Sequence, residues 1–169
     1  MKLHPFAFPL LLAASIATAQ EASAPLLQSM TAPMNTFVFV STDMPQQTLI
    51  TLAKEASLAK AVIVLTGFGG PGKTLTSTQE FAAQINSICC SKHPGRWIVD
   101  PVLTRRYQVK VAPTFVVARG SSDSPNDFSK VSGDISLAQA LKVFAQNSKI
   151  GMIREYAKNS YYSTYGNKF

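Results

Sequence analysis

The chain has 169 residues, with 16 lysines and arginines against 9 acidic residues and a formal net charge of +7. This length suits one domain with a sizeable hydrophobic core. The basic residues are scattered except for a group between residues 92 and 110. Because no basic patch is interleaved with aromatic residues, the sequence argues against nucleic acid and favours a protein partner.

Residues 1–19 have the organisation of a secretory signal peptide. Lys2 precedes an apolar run over residues 6–16, and small residues end at Ala19. The apolar run is too short for a permanent anchor, and no second long run follows it. We therefore expect export, cleavage near Ala19 and no stable membrane span. Residues 20–35 are rich in Ala, Ser and Pro and are expected to form a linker.

The next segments alternate between strand and helix patterns. The β-rich run 36–41 predicts the first strand, and Asp43, Pro45 and Gln46 form a helix start signal. The apolar face of that helix consists of Leu49, Leu52, Ala53, Ala56 and Ala59. Residues 61–66 are almost wholly apolar, which predicts a strand covered on both faces. A Gly-rich loop over 67–74, a helix over 78–90 and a strand over 96–99 follow.

The second half begins with an Asp-Pro pair at residues 100–101. A short helical turn over 103–107 leads to Ala112 and Pro113, and 114–118 predict a central strand. A return strand near 130–132 precedes a helix that Ser136 and Gln139 open as a capping box. Residues 152–158 are expected to form a short helix, and 159–169 an aromatic tail whose tyrosines contact a partner or remain disordered.

A proline immediately before a buried strand cannot donate to the sheet ladder. The alternatives are an ordinary trans proline at a strand edge and a cis bond in a tight turn. A short helix, the pattern V-x-x-A-P-T and an apolar strand resemble the cis-proline corner of the thioredoxin fold. The element order therefore predicts an α/β fold: a thioredoxin-like mixed sheet flanked by helices over residues 36–158, with an extra β-α unit.

A formal match to the phosphate-binding P-loop occurs at Gly67, Gly72, Lys73 and Thr74. Export removes the chain from nucleoside triphosphate, and Pro71 removes one N–H from the loop. Capping-box patterns also place the helix start after Thr74, whereas a P-loop needs the helix N-terminus at the phosphate. Nucleotide binding through residues 67–74 therefore stays a secondary alternative.

The redox position of a thioredoxin-like fold, where the first strand meets the first helix, contains no cysteine here. Cys89 is expected in the core, and Cys90 as a free surface thiol or intermolecular link. A bond between these neighbours is disfavoured, since helical side chains diverge by about 100°. The enzymatic alternative is a thiol-disulfide oxidoreductase or isomerase using Cys89 or Cys90. His93 has no second ligand in view, so neither a metal nor a cofactor is expected.

Taken together, the pattern resembles the TrbC-type pilin assembly proteins of F-type conjugative type IV secretion systems. The residues that carry this resemblance are 37–41 with Met44 and Pro45, 61–67, 99–101, Arg105, Arg106, Tyr107, Val109 and 112–117. The resemblance implies a periplasmic, non-enzymatic protein of thioredoxin-like fold that assists assembly of the conjugative pilus. It also implies a TraW-type partner protein and contacts with other pilus assembly components.

By analogy with the thioredoxin fold, a client backbone would add at the corner between residues 41–45 and 112–114. The expected partner-binding residues are Ser41, Met44, Pro45, Arg105, Arg106, Tyr107, Ala112, Pro113 and Thr114. No catalytic residue is expected among them.

Overall fold

The computed structural model describes residues 34–120 and 124–166. The predicted signal peptide, the linker up to residue 33 and residues 167–169 of the predicted tail lie outside this part. The elements in chain order are β1 (Met34–Val40), α1 (Gln46–Leu58), β2 (Val62–Leu65), a 3-10 turn (Pro71–Lys73), α2 (Leu75–Cys89), β3 (Arg96–Val99), α3 (Pro101–Arg106), β4 (Thr114–Arg119), β5 (Phe128–Ser132), α4 (Leu137–Asn147) and α5 (Gly151–Tyr165).

The strands form one mixed sheet in the order β3-β2-β1-β4-β5. The first three strands are parallel, and β4 runs antiparallel to both β1 and β5. The steps from β1 to β2 and from β2 to β3 go in the same direction, so right-handed crossovers place α1 and α2 on one face. The α/β prediction is confirmed: the sheet is thioredoxin-like, and α2 with β3 forms the extra β-α unit.

Alternation along the strands divides the core between the two faces of the sheet. Helices α1, α2, α4 and α5 cover the face that carries Val38, Val40, Ile63, Leu65, Phe115 and Val117. Leu103 and Tyr107, from α3 and its end, pack on the face that carries Phe37, Phe39, Val62, Val64, Val116 and Ala118. Asp100, directly after β3, therefore starts the helix α3, which covers the opposite face of the sheet.

The predicted tail is helical as far as Tyr165, which corrects the expected boundary at residue 158. Ile153, Ala157 and Tyr161 are buried and recur every four residues, the spacing of one helix face. Tyr161 lies against Tyr165 with ring centroids 5.1 Å apart. Packing on the core therefore continues the helix through a segment whose polar residues hide the apolar stripe in the sequence.

Glu55 links α1 to α4 on this face of the sheet. Its Oε2 atom accepts a hydrogen bond from the N–H of Leu137, the first residue of α4, at 2.6 Å. Burial raises the pKa of the Glu55 carboxyl, and the backbone hydrogen bonds from Leu137 and Ala138 oppose that rise. The carboxylate therefore caps a helix N-terminus but carries a desolvation cost.

Replacement of Glu55 by Gln should change how stability depends on pH. Because the folded pKa is raised above the ordinary value of 4.5, protonation of Glu55 stabilises the wild type. That contribution is complete below the unfolded pKa and is lost as pH rises through the folded pKa. Urea unfolding should therefore favour Glu55→Gln progressively from acid to neutral pH. Glu80→Gln controls for the lost charge, and a pH-independent difference between wild type and Glu55→Gln would contradict the expectation.

Candidate functional site

Three loops meet at one end of the sheet, beyond the ends of its central strands. Parallel β1 and β2 end there, and antiparallel β4 begins there, with Phe39 paired opposite Thr114. The N–H of Thr66, directly after β2, donates to the carbonyl of Val40 at 3.0 Å. We call residues 41–45, 66–70 and 111–114 together the proline corner. The topology therefore brings together the two segments that the sequence predicted to lie side by side.

The loop after β1 is closed by its own hydrogen bonds. The N–H of Met44 donates to the carbonyl of Ser41 at 3.2 Å, and the N–H of Ser41 contacts the Met44 sulfur at 3.4 Å. Asp43 does not cap the helix: α1 begins after Pro45 without a side-chain cap, and the Asp43 carboxylate pairs with the Ser41 hydroxyl instead. These contacts keep the Met44 side chain half-buried within the proline corner.

The segment before β4 leaves backbone groups available. The Ala112–Pro113 peptide bond is cis. The Pro113 carbonyl accepts from the N–H of Gly133 at 3.1 Å, and the Thr114 hydroxyl bonds the Val111 carbonyl at 2.6 Å. Within the described residues, no hydrogen bond uses the backbone N–H or carbonyl of Ala112. Half-exposed Ala112 thus offers one backbone N–H donor and one carbonyl acceptor at this end of the sheet.

The predicted partner-binding residues divide by exposure. Pro45 and Arg105 are exposed, Ser41, Met44, Arg106 and Ala112 are half-buried, and Tyr107, Pro113 and Thr114 are buried. No hydrogen bond or ring contact in the described chain joins the side chains of Arg105 or Arg106 to residues 41–45. The two arginines form the basic last turn of α3.

Tyr107 lies inside the protein, which corrects its expected place on the flank of the surface. Its ring is fully buried, with centroids 5.8 Å from Phe37, 6.2 Å from Phe39 and 5.0 Å from Phe128. The ammonium of Lys130 donates to the Tyr107 carbonyl at 2.8 Å. Because α3 ends against the sheet, the next residue, Tyr107, points into the core. Its packing fixes the start of the segment that leads to Pro113.

Sequence reasoning did not identify the apolar side chains that surround the corner. Phe68, Leu75, Val102 and Val111 are 48%, 59%, 51% and 58% exposed, respectively. Phe68, Val102 and Val111 each lie three residues from a strand end at this end of the sheet, and Leu75 is the first residue of α2. They are four of the seven exposed large hydrophobic residues in the described chain. Contiguous exposed apolar groups are a feature of protein-contact surfaces, so these four residues are candidates for one.

The Gly-rich loop is filled by its own chain. The N–H of Gly69 donates to the Thr78 hydroxyl at 2.9 Å, and the Ser77 hydroxyl donates to the Gly69 carbonyl at 2.7 Å. The helix begins at Leu75, three residues earlier than predicted, because Thr74 and Ser77 form a capping box. The Thr74 hydroxyl, which would hold Mg²⁺ in a P-loop, accepts the N–H of Ser77. Internal bonds thus occupy the N–H groups of Gly69, Lys73 and Thr74 and the Thr74 hydroxyl, which are part of the set that would hold a phosphate and its Mg²⁺.

Substitutions at Lys73 and Thr74 should separate a cap from a nucleotide site. Thr74→Ala removes the N-cap and should lower the free energy of unfolding by about 1 kcal/mol. Lys73→Ala, at an exposed position, should change it by no more than about 0.5 kcal/mol. Neither protein should bind a fluorescent ATP analogue with Mg²⁺. Saturable binding lost in Lys73→Ala would restore the nucleotide hypothesis.

Cys89 and Cys90 are joined by a disulfide, contrary to the expectation of two separate thiols. Cys89 ends α2, and Cys90 leaves helical geometry with φ −144° and ψ 33°, so helical divergence no longer separates the side chains. Cys90 is buried, whereas Cys89, expected in the core, is half-buried. The pair lies at the end of α2 away from the proline corner, along about 22 Å of helix.

The mixed sheet, the cis-proline corner and the cysteine-free first loop define a thioredoxin-like protein without a thiol at the usual redox position. Residues 38–144 match the family described as the type-F conjugative transfer system pilin assembly protein. This match covers more than half of the chain, so the protein belongs to that family. The predicted family resemblance is confirmed.

The solved structures contain a secreted Mycobacterium tuberculosis disulfide oxidoreductase homologous to E. coli DsbE that resembles this chain. The two are 18% identical, and the alignment covers 64% of this chain and 75% of that chain with a TM-score of 0.41. No curated protein sequence matches the chain.

Proposed function

We propose that this protein is a periplasmic, non-enzymatic assembly factor of the F-type conjugative pilus. It binds extended segments of other assembly components, including a TraW-type protein, at the proline corner. The observation that carries this proposal is the backbone of Ala112, which makes no hydrogen bond within the described residues, with exposed Val111 next to it and exposed Phe68 at the same end of the sheet. The family match supports pilus assembly as the process.

Strand-like addition is the binding mode that these groups support. The N–H and carbonyl of Ala112 would bond a client backbone, and nearby apolar side chains would take its alternate residues. Ser41, Met44 and Pro45 form one wall of this corner, while Ala112 forms the other. Pro113 and Thr114 are buried beneath it, and Tyr107 supports the segment from inside. Arg105 and Arg106 would attract acidic regions of the partner from a distance.

Periplasmic localisation is part of the proposal. Residues 1–19 carry the signal-peptide pattern, with cleavage proposed near Ala19. In the part of the chain that the structure describes, no helix is long and apolar enough to cross a membrane. Membership of a conjugative pilus assembly family supports export. Fractionation of donor cells should therefore place the processed chain with periplasmic markers.

A second candidate function is thiol-disulfide exchange through Cys89 and Cys90. The observation that favours it is the disulfide itself, whose Cys89 member is half-exposed. A client thiolate would attack one sulfur, and the other would leave as a thiolate. The distance of this pair from the proline corner counts against it, because a client held at the corner would not reach the sulfurs.

Mating assays separate the two candidates. Deletion of the gene in donor cells should abolish DNA transfer, and wild-type protein should restore it. Cys89→Ser with Cys90→Ser should restore transfer fully, since the proposed site contains no thiol, and Lys73→Ala should do the same. Failure of the serine variant at normal protein level, with insulin-reducing activity in the wild type, would favour the exchange function. Normal transfer by the deletion strain would remove the pilus role.

A further inference from the structure

The two edges of the sheet differ in chemistry. The β5 edge carries exposed Lys130, a charge of the kind that protects sheet edges from pairing. The β3 edge is the apolar run Trp97, Ile98 and Val99, with Arg96 before it and Asp100 after it. Neither a proline nor a lysine interrupts these five residues. The sheet therefore has one protected edge and one that is suited to pairing.

The outer side of β3 has unused hydrogen-bonding groups. This strand pairs with β2 over four residues, from Val62 opposite Arg96 to Leu65 opposite Val99. In a parallel ladder, every second residue points its N–H and carbonyl away from the neighbour. No other strand of the described chain lies beyond β3. Its outward groups can therefore bond a further strand without any rearrangement of the sheet.

The order of side chains along this edge is complementary to itself. Pairing the run with an antiparallel copy about Ile98 places Arg96 opposite Asp100, Trp97 opposite Val99, and Ile98 opposite Ile98. Opposite charges and apolar or aromatic pairs are the cross-strand combinations that stabilise a sheet. Asp100 has extended backbone angles, φ −138° and ψ 94°, so it prolongs the strand. We propose that this protein forms a two-fold homodimer by antiparallel pairing of the β3 edges.

The charged residues at the ends of the run have capacity for this contact. Asp100 uses Oδ1 to accept the N–H groups of Val102 and Leu103 at 2.8 and 2.9 Å, and Oδ2 makes no hydrogen bond within the described residues. The Arg96 guanidinium donates to the carbonyl of Lys60 on the inner side of β3 and, in the same part of the chain, pairs with no acidic side chain, so it would turn outward to meet the second copy. The second copy would supply that missing counter-charge at both ends of the interface.

The surroundings of β3 also suit an apolar contact. A cleft of about 200 Å³ between α2 and β3 is lined by Leu65, Leu75, Thr78, Gln79, Ala82, Trp97, Ile98 and Val99. Trp97 and Val99 share its face of the sheet, so the paired copy continues the same apolar row. A symmetric, isologous contact of this kind closes on itself and produces a dimer rather than a fibre.

Sedimentation of the purified, exported chain tests the proposal without reference to conjugation. The average mass should rise towards twice the monomer mass over about a hundredfold range of concentration. Arg96→Glu places like charges opposite each other and should weaken self-association at least tenfold. Lys158→Glu, which reverses an exposed charge on α5, is the matched control and should dimerise as the wild type does. Circular dichroism checks that both variants are folded.

Cross-linking tests the register. Ile98→Cys should form an intermolecular disulfide on mild oxidation, because the symmetry axis brings the two copies of this position together. Val131→Cys, at the equivalent place on the β5 edge, should still dimerise but should not form the intermolecular disulfide. A wild type that is monomeric at every concentration would overturn the proposal, and so would equal cross-linking of both variants. Cross-linking of Ile98→Cys to another assembly protein but never to itself would assign this edge to a different partner.

Discussion

Aspartate at both Phe68 and Val111 should reduce DNA transfer by donor cells to the level of the deletion strain. Both side chains are exposed at the proline corner, so the substitutions should cost the fold no more than about 0.5 kcal/mol each. A client segment docked there would have to bury two carboxylates without partners, which is a large loss of affinity. Mating frequency measures the effect, and immunoblotting confirms that the protein level is unchanged.

The matched control changes the same kind of residue away from the corner. Leu58 and Met152 are 56% and 51% exposed, at the end of α1 and the start of α5. Leu58→Asp with Met152→Asp should transfer DNA as the wild type does. Normal DNA transfer by both the corner variant and the control would contradict partner binding at the proline corner. Another surface would then have to contact the assembly components.

Replacement of Tyr107 by alanine should lower the free energy of unfolding by about 3–5 kcal/mol. The ring is fully buried and contacts Phe37, Phe39 and Phe128. Its loss removes the apolar transfer energy of the ring, leaves a cavity, and removes aromatic pairs worth about 0.5–1.5 kcal/mol each. A domain of this size is stable by roughly 5–15 kcal/mol. Urea unfolding followed by far-UV circular dichroism measures the change.

Tyr107→Phe is the control for this effect because it keeps the ring among the three phenylalanines. Its unfolding midpoint should remain much closer to that of the wild type than the midpoint of Tyr107→Ala. A loss below about 1 kcal/mol for the alanine variant would show that the opposite face of the sheet does not depend on this ring. Reduced transfer by Tyr107→Ala at normal protein level would reflect displacement of the segment that carries Ala112 and Pro113.

The two predictions concern different parts of one arrangement. The exposed residues of the corner would contact the client, whereas Tyr107 holds the segment that presents them. Lys130 bonds the carbonyls of Tyr107 and Gln108 from β5 at 2.8 and 2.9 Å. The proposed binding surface therefore depends on the last strand of the sheet as well as on the loops.

Sequence alone determined the order of elements and the family, and it placed a proline corner before β4, whereas the cis form of the Ala112–Pro113 bond was decided by the tertiary structure. Those features are local: apolar runs such as residues 61–66 and 114–118 indicate buried strands wherever they occur. A Pro before an apolar strand has few structural solutions. The extra β-α unit also followed from the order of patterns, since right-handed crossovers leave little choice of topology.

Tertiary structure decided which side chains face water and where helices end. The stripe of Ile153, Ala157 and Tyr161 is too diluted by polar residues to be recognised, and only contact with the core makes it a helix face. Cys90 could approach Cys89 only because the chain leaves α2 between them. The exposure of Phe68 and Val111 and the burial of Tyr107 depend on contacts between distant segments, because burial is a property of the assembled fold rather than of local sequence.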